Sequence, residues 1–229
     1  LGPVSATAIA DEIAAVVARS RAAQQAISGW DQEQINELVT AVGWAIVGAD
    51  HPETLARLAV DEGGFGTYDD KVTKIHRRVT GLLADMRSMR TVGVVEVDPD
   101  RGLVKIAKPV GVVAALIPTT GPDATPPMKA LMALKGANAI VIAPHPRTKQ
   151  TSELSVEYMR AACAQVGAPE DLIQSLDSPS IDKTRELMRQ ADLIVATGGA
   201  AMVKAAHSSG TPAYGVGVGN SVHVVDETA

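Results

Sequence analysis

Three segments of the chain combine prolines, glycines, small hydroxyl residues and cations at points where apolar runs end. They are residues 118–127, 143–149 and 196–204. A rigid loop with free backbone N–H groups in front of a helix suits a phosphate or a carboxylate. Arg147 and Lys149 could contact an adenosine ribose or its 2′-phosphate. The chemistry that these residue types predict is binding of an anionic, nucleotide-like ligand.

Each of these features also has an interpretation that needs no ligand. The prolines of residues 118–127 could simply stiffen the start of a helix, and surface cations such as Arg147 and Lys149 are commonly solvated. His145, flanked by a proline on each side, could be a rigid ligand contact or a packed loop residue. The residues alone leave both interpretations open.

Two glycine-rich segments could let the backbone approach a flat ligand closely. Gly198 and Gly199 follow an apolar run and precede a helical pattern, and glycines alternate through residues 215–220 between two strand-like runs. No strict G-x-G-x-x-G fingerprint occurs in the chain. Tight packing would explain both segments as well, so the glycines by themselves are weak evidence for a cofactor.

The apolar pattern of the second half predicts alternating strands and helices. The predicted strands cover residues 111–117, 139–143, 172–176, 192–196 and 213–217. The predicted helices cover residues 126–136, 149–166, 180–190 and 200–208. Continuous apolar strands that alternate with helices indicate an α/β fold whose parallel sheet is covered on both faces. Ligands of such a sheet bind beyond the carboxyl ends of the strands, which is where the three segments lie.

The first half is predicted to be helical. Helical periodicity fills residues 1–90, and Asp31 with Gln34 forms a predicted capping box. Residues 71–90 are predicted as a helix whose basic side chains face solvent. Two β-rich runs separated by a turn then predict a hairpin over residues 91–107.

These patterns divide the chain into three regions, within the one or two domains that 229 residues allow. Residues 1–3 could be a remnant of cloning and are left out of the fold prediction. The regions are a helical segment packed on the binding domain (1–90), a hairpin arm (91–108) and a ligand-binding domain (109–229).

The composition is that of an ordinary globular protein, with 46% hydrophobic residues and a net charge of −5. The charges form no basic stripe, which argues against nucleic-acid binding. No apolar run is long enough to cross a membrane. The five histidines are scattered and a single cysteine excludes an internal disulfide framework, so the composition favours a cytoplasmic protein without a metal site.

Cys163 is the chain's only cysteine. It lies in the middle of a predicted helix among small apolar residues. A catalytic thiolate needs an electropositive and partly open site, whereas buried free cysteines are commonly inert. We therefore predict that Cys163 is a packing residue and not a nucleophile.

Five motifs, in order along the chain, resemble those of one enzyme family. Lys-Pro-Val-Gly-Val-Val at 108–113 and Pro-Thr-Thr-Gly-Pro at 118–122 resemble the aldehyde dehydrogenase superfamily. Ala-Pro-His-Pro-Arg at 143–147, Ala-Thr-Gly-Gly at 196–199 and the glycine-rich residues 215–220 narrow the resemblance to its CoA-acylating branch. The Thr-Thr-Gly-Pro-Asp-Ala-Thr-Pro sequence is most similar to that of acylating sulfoacetaldehyde dehydrogenases.

This resemblance implies a Rossmann-like domain that binds NAD or NADP, a separate catalytic domain, and a hairpin arm that makes a homo-oligomer. In the family, a cysteine of the catalytic domain adds to a short aldehyde, hydride passes to the nicotinamide, and CoA takes up the resulting thioester. The cofactor contacts that the resemblance implies are Pro118, Thr119, Thr120, His145, Pro146, Arg147, Thr197, Gly198, Gly199, Gly217 and Gly219.

Three positions depart from the hydrolytic members of the superfamily. Residues 215–220 lack the glutamate that activates water there, which agrees with acyl transfer to CoA. Thr120 stands where those relatives have an oxyanion-binding asparagine, so it is a candidate oxyanion-side contact. Ala143 replaces their ribose-binding lysine. The choice of cofactor then depends on His145 and Arg147, and Arg147 favours NADP or dual use.

The resemblance also implies that the nucleophilic cysteine lies past Ala229, so that no catalytic residue and no catalytic domain is expected in this chain. We expect the chain alone to be inactive, to bind a dinucleotide weakly and to self-associate through exposed apolar surface. Two alternatives remain open. One is a non-catalytic nucleotide-binding module, and the other is an acylating enzyme for acetaldehyde or a short semialdehyde.

Overall fold

The computed structural model describes residues 5–220 and 222–228, so residues 1–3 and Ala229 lie outside the described part. The helices are α1 (Ala6–Ala26), α2 (Gln32–Val47), α3 (His51–Gly63), α4 (Tyr68–Met86), α5 (Thr125–Lys135), α6 (Lys149–Gln165), α7 (Ile181–Gln190) and α8 (Ala200–His207). The strands are β1 (Gly93–Asp98), β2 (Leu103–Ala107), β3 (Val112–Leu116), β4 (Ala139–Ala143), β5 (Ile173–Ser175), β6 (Leu193–Thr197) and β7 (Ala213–Val216).

The second half of the chain forms a five-stranded sheet in the order β5-β4-β3-β6-β7. Every neighbouring pair in this sheet is parallel. From β3 the chain builds outward through β4 to β5, then crosses back to place β6 on the other side of β3. The predicted doubly wound parallel sheet is confirmed, and its switch point lies between β3 and β6.

Both faces of the sheet are covered, which explains why β3 and β4 are buried along their whole length. On one face, Ile13 and Val17 of α1 pack with Leu187 of α7 against the alternate strand residues that point toward them. On the other face, α5 and α6 cover the sheet, and α2, α3 and α4 form a further layer over those two helices. Apolar side chains on both sides of β3 and β4 explain the continuous apolar runs at these strands in the sequence.

Helix α2 begins as the sequence predicts. The Asp31 side chain accepts the N–H of Gln34 at 2.9 Å, and the Gln34 side chain accepts the N–H of Asp31 at 3.0 Å. This reciprocal arrangement satisfies two backbone donors that the helix itself leaves free. The predicted capping box is confirmed.

Helix α4 corrects one prediction. It begins and ends before the predicted bounds, and its basic residues do not all face solvent. Lys71 is only 4% exposed, because it and Lys74 turn toward Asp123 in the loop after β3. Asp123, a buried carboxylate distant in sequence, therefore pairs with two lysines that the helical pattern alone places on the surface.

The predicted hairpin is formed by β1 and β2, which pair antiparallel and contribute no residue to the apolar clusters on the two faces of the sheet. Five of its apolar side chains are exposed by 45% to 60%. They are Val94, Val97, Leu103, Val104 and Ile106. Among the described residues, no helix is long and apolar enough to cross a membrane.

The start of β3 is held by two polar side chains. Asn138 accepts the N–H groups of Val110 and Gly111, and an oxygen of Asp192 accepts the N–H of Val112 at 2.7 Å. Gly111 has a φ of +122°, and a Cβ atom placed on it would lie 2.2 Å from the Asp192 carboxylate. Only glycine fits this position, because it tolerates both the conformation and the close approach.

We expect Gly111→Ala to lower the free energy of unfolding by about 2–4 kcal/mol, through backbone strain and displacement of Asp192. The matched control is Gly81→Ala in the exposed part of α4, where a Cβ meets nothing within 4 Å. That control should stabilise the helix by about 0.5–1 kcal/mol. Urea unfolding of both variants measures the effect, and equal stabilities would contradict the role given to Gly111.

Candidate nucleotide-binding cleft

A cleft of about 610 Å³ opens at the carboxyl ends of the strands on both sides of the switch point. It is called the switch-point cleft below. The loops after β4, β3, β6 and β7 line it in that order along the sheet edge. The predicted cofactor contacts that line it are Pro118, Thr119, Thr120, His145, Pro146, Thr197, Gly198, Gly199 and Gly217.

Two predicted contacts lie outside this lining. Arg147 is exposed, and its guanidinium carbon lies 5.4 Å from the centre of the Phe65 ring. Gly219 is exposed and follows the end of β7. The strand-like run predicted beyond these glycines is not a strand, since residues 217–220 and 222–228 are described without regular structure. Those residues are exposed, so they lack the partners that a strand needs.

Two further depressions of similar volume lie elsewhere on the molecule. One, of about 610 Å³, is bordered mainly by charged and polar residues of α1, α6 and the end of β5. The other, of about 650 Å³, lies between α2 and α4. Neither contains a predicted site residue. Within residues 5–220 and 222–228, no three His, Cys, Asp or Glu side chains are grouped to hold a metal ion.

The helices that begin near the cleft differ in what their first N–H groups bind. In α5, Pro126 and Pro127 have no N–H to offer, and the N–H of Thr125 is bound by the Gly121 carbonyl. In α6, the carboxylate of Glu62 accepts the N–H groups of the second and third helical residues at 2.9 and 2.8 Å. These two helix starts are therefore closed to an external anion.

Helix α8 is different. Gly199 precedes it without a side-chain cap, and the N–H groups of Ala200 and Ala201 have no acceptor among the described residues. Gly199 and Ala201 both line the switch-point cleft. The start of α8 thus presents free donors and the positive end of a helix dipole to the cleft.

The loop that carries Thr119 and Thr120 is fixed by a buried ionic cluster. Asp123 is fully buried, and the Lys74 Nζ lies 2.8 and 2.7 Å from its two carboxylate oxygens. The Lys71 Nζ lies 3.7 Å from the same carboxylate. Burial lowers the pKa of Lys71, and the attraction of Asp123 opposes that shift. The cluster attaches this wall of the cleft to α4.

Lys129 is a buried charged residue beneath the cleft that the sequence prediction missed. It lies on α5 and is 5% exposed, and its Nζ donates to the carbonyls of Leu116 at 2.7 Å and Val195 at 2.8 Å. Burial lowers its pKa to about 7. These carbonyls belong to β3 and β6, so Lys129 bridges the two strands just below the cleft. The signal for it was a single lysine within the apolar stretch 126–134.

Cys163 is buried on α6 within the core between the helices and the sheet. Burial raises the pKa of its thiol to about 12. A neutral, enclosed thiol cannot serve as a nucleophile. The prediction that Cys163 is a packing residue is confirmed.

A doubly wound α/β fold with a cleft at its switch point defines a class of proteins that bind nucleotides or related ligands there. The aldehyde dehydrogenase family model matches residues 4–229. The chain therefore belongs to the aldehyde dehydrogenase family.

Similar proteins include the sulfoacetaldehyde dehydrogenase of an Acholeplasma species, 48% identical over 92% of this chain and 44% of that protein. The acylating sulfoacetaldehyde dehydrogenase of Cupriavidus necator is 46% identical over 98% of this chain and 46% of that protein. The acetylating succinate-semialdehyde dehydrogenase of Clostridium kluyveri is 44% identical over 93% and 46%. The chain thus spans less than half the length of these relatives.

Solved structures of similar proteins also match this chain over about half of their own length. An acetylating aldehyde dehydrogenase from Geobacillus thermoglucosidasius has a TM-score of 0.90 and 37% identity, over 94% of this chain and 48% of that one. The Rhodopseudomonas palustris propionaldehyde dehydrogenase with bound propionyl-CoA has a TM-score of 0.80 and 32% identity, over 91% and 46%. An engineered glycolyl-CoA reductase with bound NADP+ has a TM-score of 0.83 and 33% identity, over 95% and 49%.

We expect Lys129→Met to change how stability depends on pH. The pKa of Lys129 is about 7 in the folded protein and 10.5 ordinarily, so unfolding takes up a proton between those pH values. The free energy of unfolding of the unaltered protein should therefore rise relative to the variant from pH 7 to 10, by at most about 1.4 kcal/mol per pH unit. Below pH 7 the buried Lys129 is charged in the folded protein, and the free energy of unfolding is lowered by the full cost of burying that charge.

Urea unfolding at a series of pH values measures this difference, and exposed Lys108→Met is the matched control. Stability curves that run parallel for the protein and Lys129→Met between pH 7 and 10 would contradict the assignment.

Proposed function

We propose that the switch-point cleft binds NAD or NADP with the pyrophosphate at the start of α8. The observation that carries this proposal is the pair of N–H groups on Ala200 and Ala201, which have no acceptor among the described residues. A phosphate there gains both hydrogen bonds and the favourable end of the helix dipole. The starts of α5 and α6, the other helices that follow cleft-lining loops, lack such donors.

The other predicted contacts form a strip along the sheet edge that suits an extended dinucleotide. His145 and Pro146 lie at the β4 end of the strip, and Gly217 lies at the β7 end. The glycines on this edge let flat groups approach the backbone. Arg147 and Gly219 belong to the proposed contacts from just outside the lining.

We further propose that the whole protein oxidises a short aldehyde, with sulfoacetaldehyde preferred, and transfers the acyl group to CoA. A cysteine thiolate bonds to the aldehyde carbon, hydride leaves that carbon for the bound NAD(P)+, and the CoA thiol displaces the cysteine from the thioester. The names of the relatives support this reaction class. By this proposal the nucleophile lies past Ala229, and Thr120 is the oxyanion-side contact in this chain. Acetaldehyde or a short semialdehyde is the alternative substrate.

A non-catalytic nucleotide-binding module is the second candidate. It is favoured by the chain's only cysteine, Cys163, being enclosed in the core with its pKa raised to about 12. Both candidates use the same cleft, and only the first requires CoA-dependent turnover.

The exposed apolar hairpin supports a homo-oligomer built through β1 and β2. Val97 of β1 is 60% exposed and Leu103 of β2 is 58% exposed, and burying such residues favours association. The buried, unpaired Cys163 agrees with a reducing compartment such as the cytoplasm.

CoA-dependent formation of reduced nicotinamide tests the reaction. Sulfoacetaldehyde and acetaldehyde are offered with NAD and with NADP to the 229-residue chain and to a chain extended past Ala229 to the length of its relatives. We expect turnover only in the extended chain, with sulfoacetaldehyde preferred. Turnover by the 229-residue chain would mean that our assignment of the nucleophile is wrong.

A charge placed at the start of α8 tests the cofactor site directly. Gly199 has open space at its Cβ and a φ of −67°, so other residues fit there. We expect Gly199→Asp to weaken NAD binding at least about tenfold compared with Gly199→Asn, because both side chains can cap the helix but only aspartate repels a phosphate. Calorimetry measures both affinities. Equal binding by the two variants would exclude the pyrophosphate from this helix start.

A further inference from the structure

Helix α4 carries three cations on one face, and the proposed function makes no use of them. Lys71, Lys74 and Arg78 lie three and four residues apart, which is the spacing of neighbours on a helix surface. Lys71 is 4% exposed, the side chain of Lys74 is 31% exposed, and Arg78 is exposed. The three residues, called the basic row below, therefore lead from the buried Asp123 out to the surface.

The basic row has a surplus of positive charge. Among the described residues, Asp123 is the one carboxylate within 4.0 Å of any of its three cations. Asp70, one turn before Lys74, instead accepts the hydroxyl of Thr67 at 2.7 Å. Lys74 and Arg78 alone outnumber the single carboxylate that pairs with the row. On a chain whose net charge is −5, this face of α4 is a local positive patch that attracts anions.

Lys74 is the member of the row that is placed to bind a ligand. An ammonium group has three N–H donors, and the Nζ of Lys74 lies 2.8 and 2.7 Å from the two carboxylate oxygens of Asp123. No other acceptor of Lys74 occurs among the described residues, so at least one donor is unused. Because the side chain is also partly exposed, an anion can approach that donor from the solvent side.

The loop after β3 brings Lys74 close to the place where the proposed function puts the aldehyde oxygen. That place is Thr120, which lines the switch-point cleft, and only two residues separate it from Asp123. The N–H of Gly121 donates to the carbonyl of Pro118 at 3.3 Å, so this part of the loop is a compact turn. Lys74 itself is outside the cleft lining, so only a group that extends from the aldehyde past Thr120 can reach it.

We propose that Lys74 binds the anionic group of the aldehyde substrate, and that Arg78 attracts such substrates to it. This makes the whole protein selective for short aldehydes that carry a sulfonate or a carboxylate. The inference rests on the proposed function, because that function supplies the aldehyde and puts its oxygen at Thr120. Both kinds of anion accept a charge-assisted hydrogen bond from an ammonium group. In sulfoacetaldehyde the sulfonate is on the carbon next to the carbonyl, which suits a cation beside the loop that holds Thr120.

Steady-state kinetics of the chain extended past Ala229 tests the proposal. The substrates are sulfoacetaldehyde, succinate semialdehyde and acetaldehyde, and the readout is kcat/KM for each anionic aldehyde divided by kcat/KM for acetaldehyde. We expect Lys74→Met to lower at least one of these ratios about 10- to 100-fold, mainly through KM, because a hydrogen bond to a charged group accounts for that range. The anionic aldehyde with the larger loss tells whether the site recognises a sulfonate or a carboxylate.

Two further variants separate the effect of charge from that of shape. Lys74→Arg keeps the cation and should keep most of the preference for anionic aldehydes. Arg78→Met should lower the ratios about two- to fivefold, and added salt should remove this difference, because an exposed charge acts through solvent. The matched control is Arg87→Met at the end of α4, an exposed cation without a carboxylate within 4.0 Å among the described residues. This control should leave both ratios unchanged.

A second form of the main variant covers the case in which Lys74→Met does not fold because Asp123 keeps only Lys71 as a partner. Lys74→Met combined with Asp123→Asn removes the buried negative charge together with its partner. The double variant should show the same loss of preference for anionic aldehydes.

The outcomes separate this inference from the proposed function. Equal losses of kcat/KM for all three aldehydes in Lys74→Met would show that Lys74 only holds the loop, and unchanged ratios would place the anion elsewhere. Either result would overturn the inference and leave the proposed reaction intact. Failure of the extended chain to turn over any of the aldehydes with CoA and NAD or NADP would remove the proposed function together with this inference.

Discussion

The divergence of the two loops that follow β3 and β6 is the constraint on which the switch-point cleft depends. The strands are adjacent and parallel, yet the loops that follow them must diverge to leave room for a ligand. Lys129 holds the two strands together just below that divergence by donating to a carbonyl of each. An ammonium group buried without a carboxylate costs free energy, and the two carbonyl contacts offset part of that cost.

Helices α3 and α4 of the first half hold two loops of the cleft in place. The loop after β3 is attached to α4 through Asp123 and Lys74, and the start of α6 is attached to α3 through Glu62. Both contacts place full charges where backbone or opposite charges satisfy them. One part of the chain thus forms the cleft walls, and another part holds them in place.

The sequence predicted β3 and β4 closely because a strand buried on both faces must be apolar throughout. It also predicted most of the cleft lining, since the ends of parallel strands meet at one edge. It could not predict the partners of Lys129 and Glu62, because a charged residue on a helix carries no local sign of a partner 66 or 89 residues away. The packing of Arg147 on Phe65 could not be predicted for the same reason, since the two residues lie far apart in the sequence.

The packing of α1 has a consequence for the order in which the protein folds during synthesis. Arg19 of α1 donates to Gln174, which follows it by 155 residues, and Ile13 and Val17 pack in the same core as Leu187 of α7. At translation rates of roughly 5–20 residues per second, α1 leaves the ribosome about 8–30 s before those partners exist. The part of α1 that packs on α7 therefore stays without that partner until most of the chain has been made.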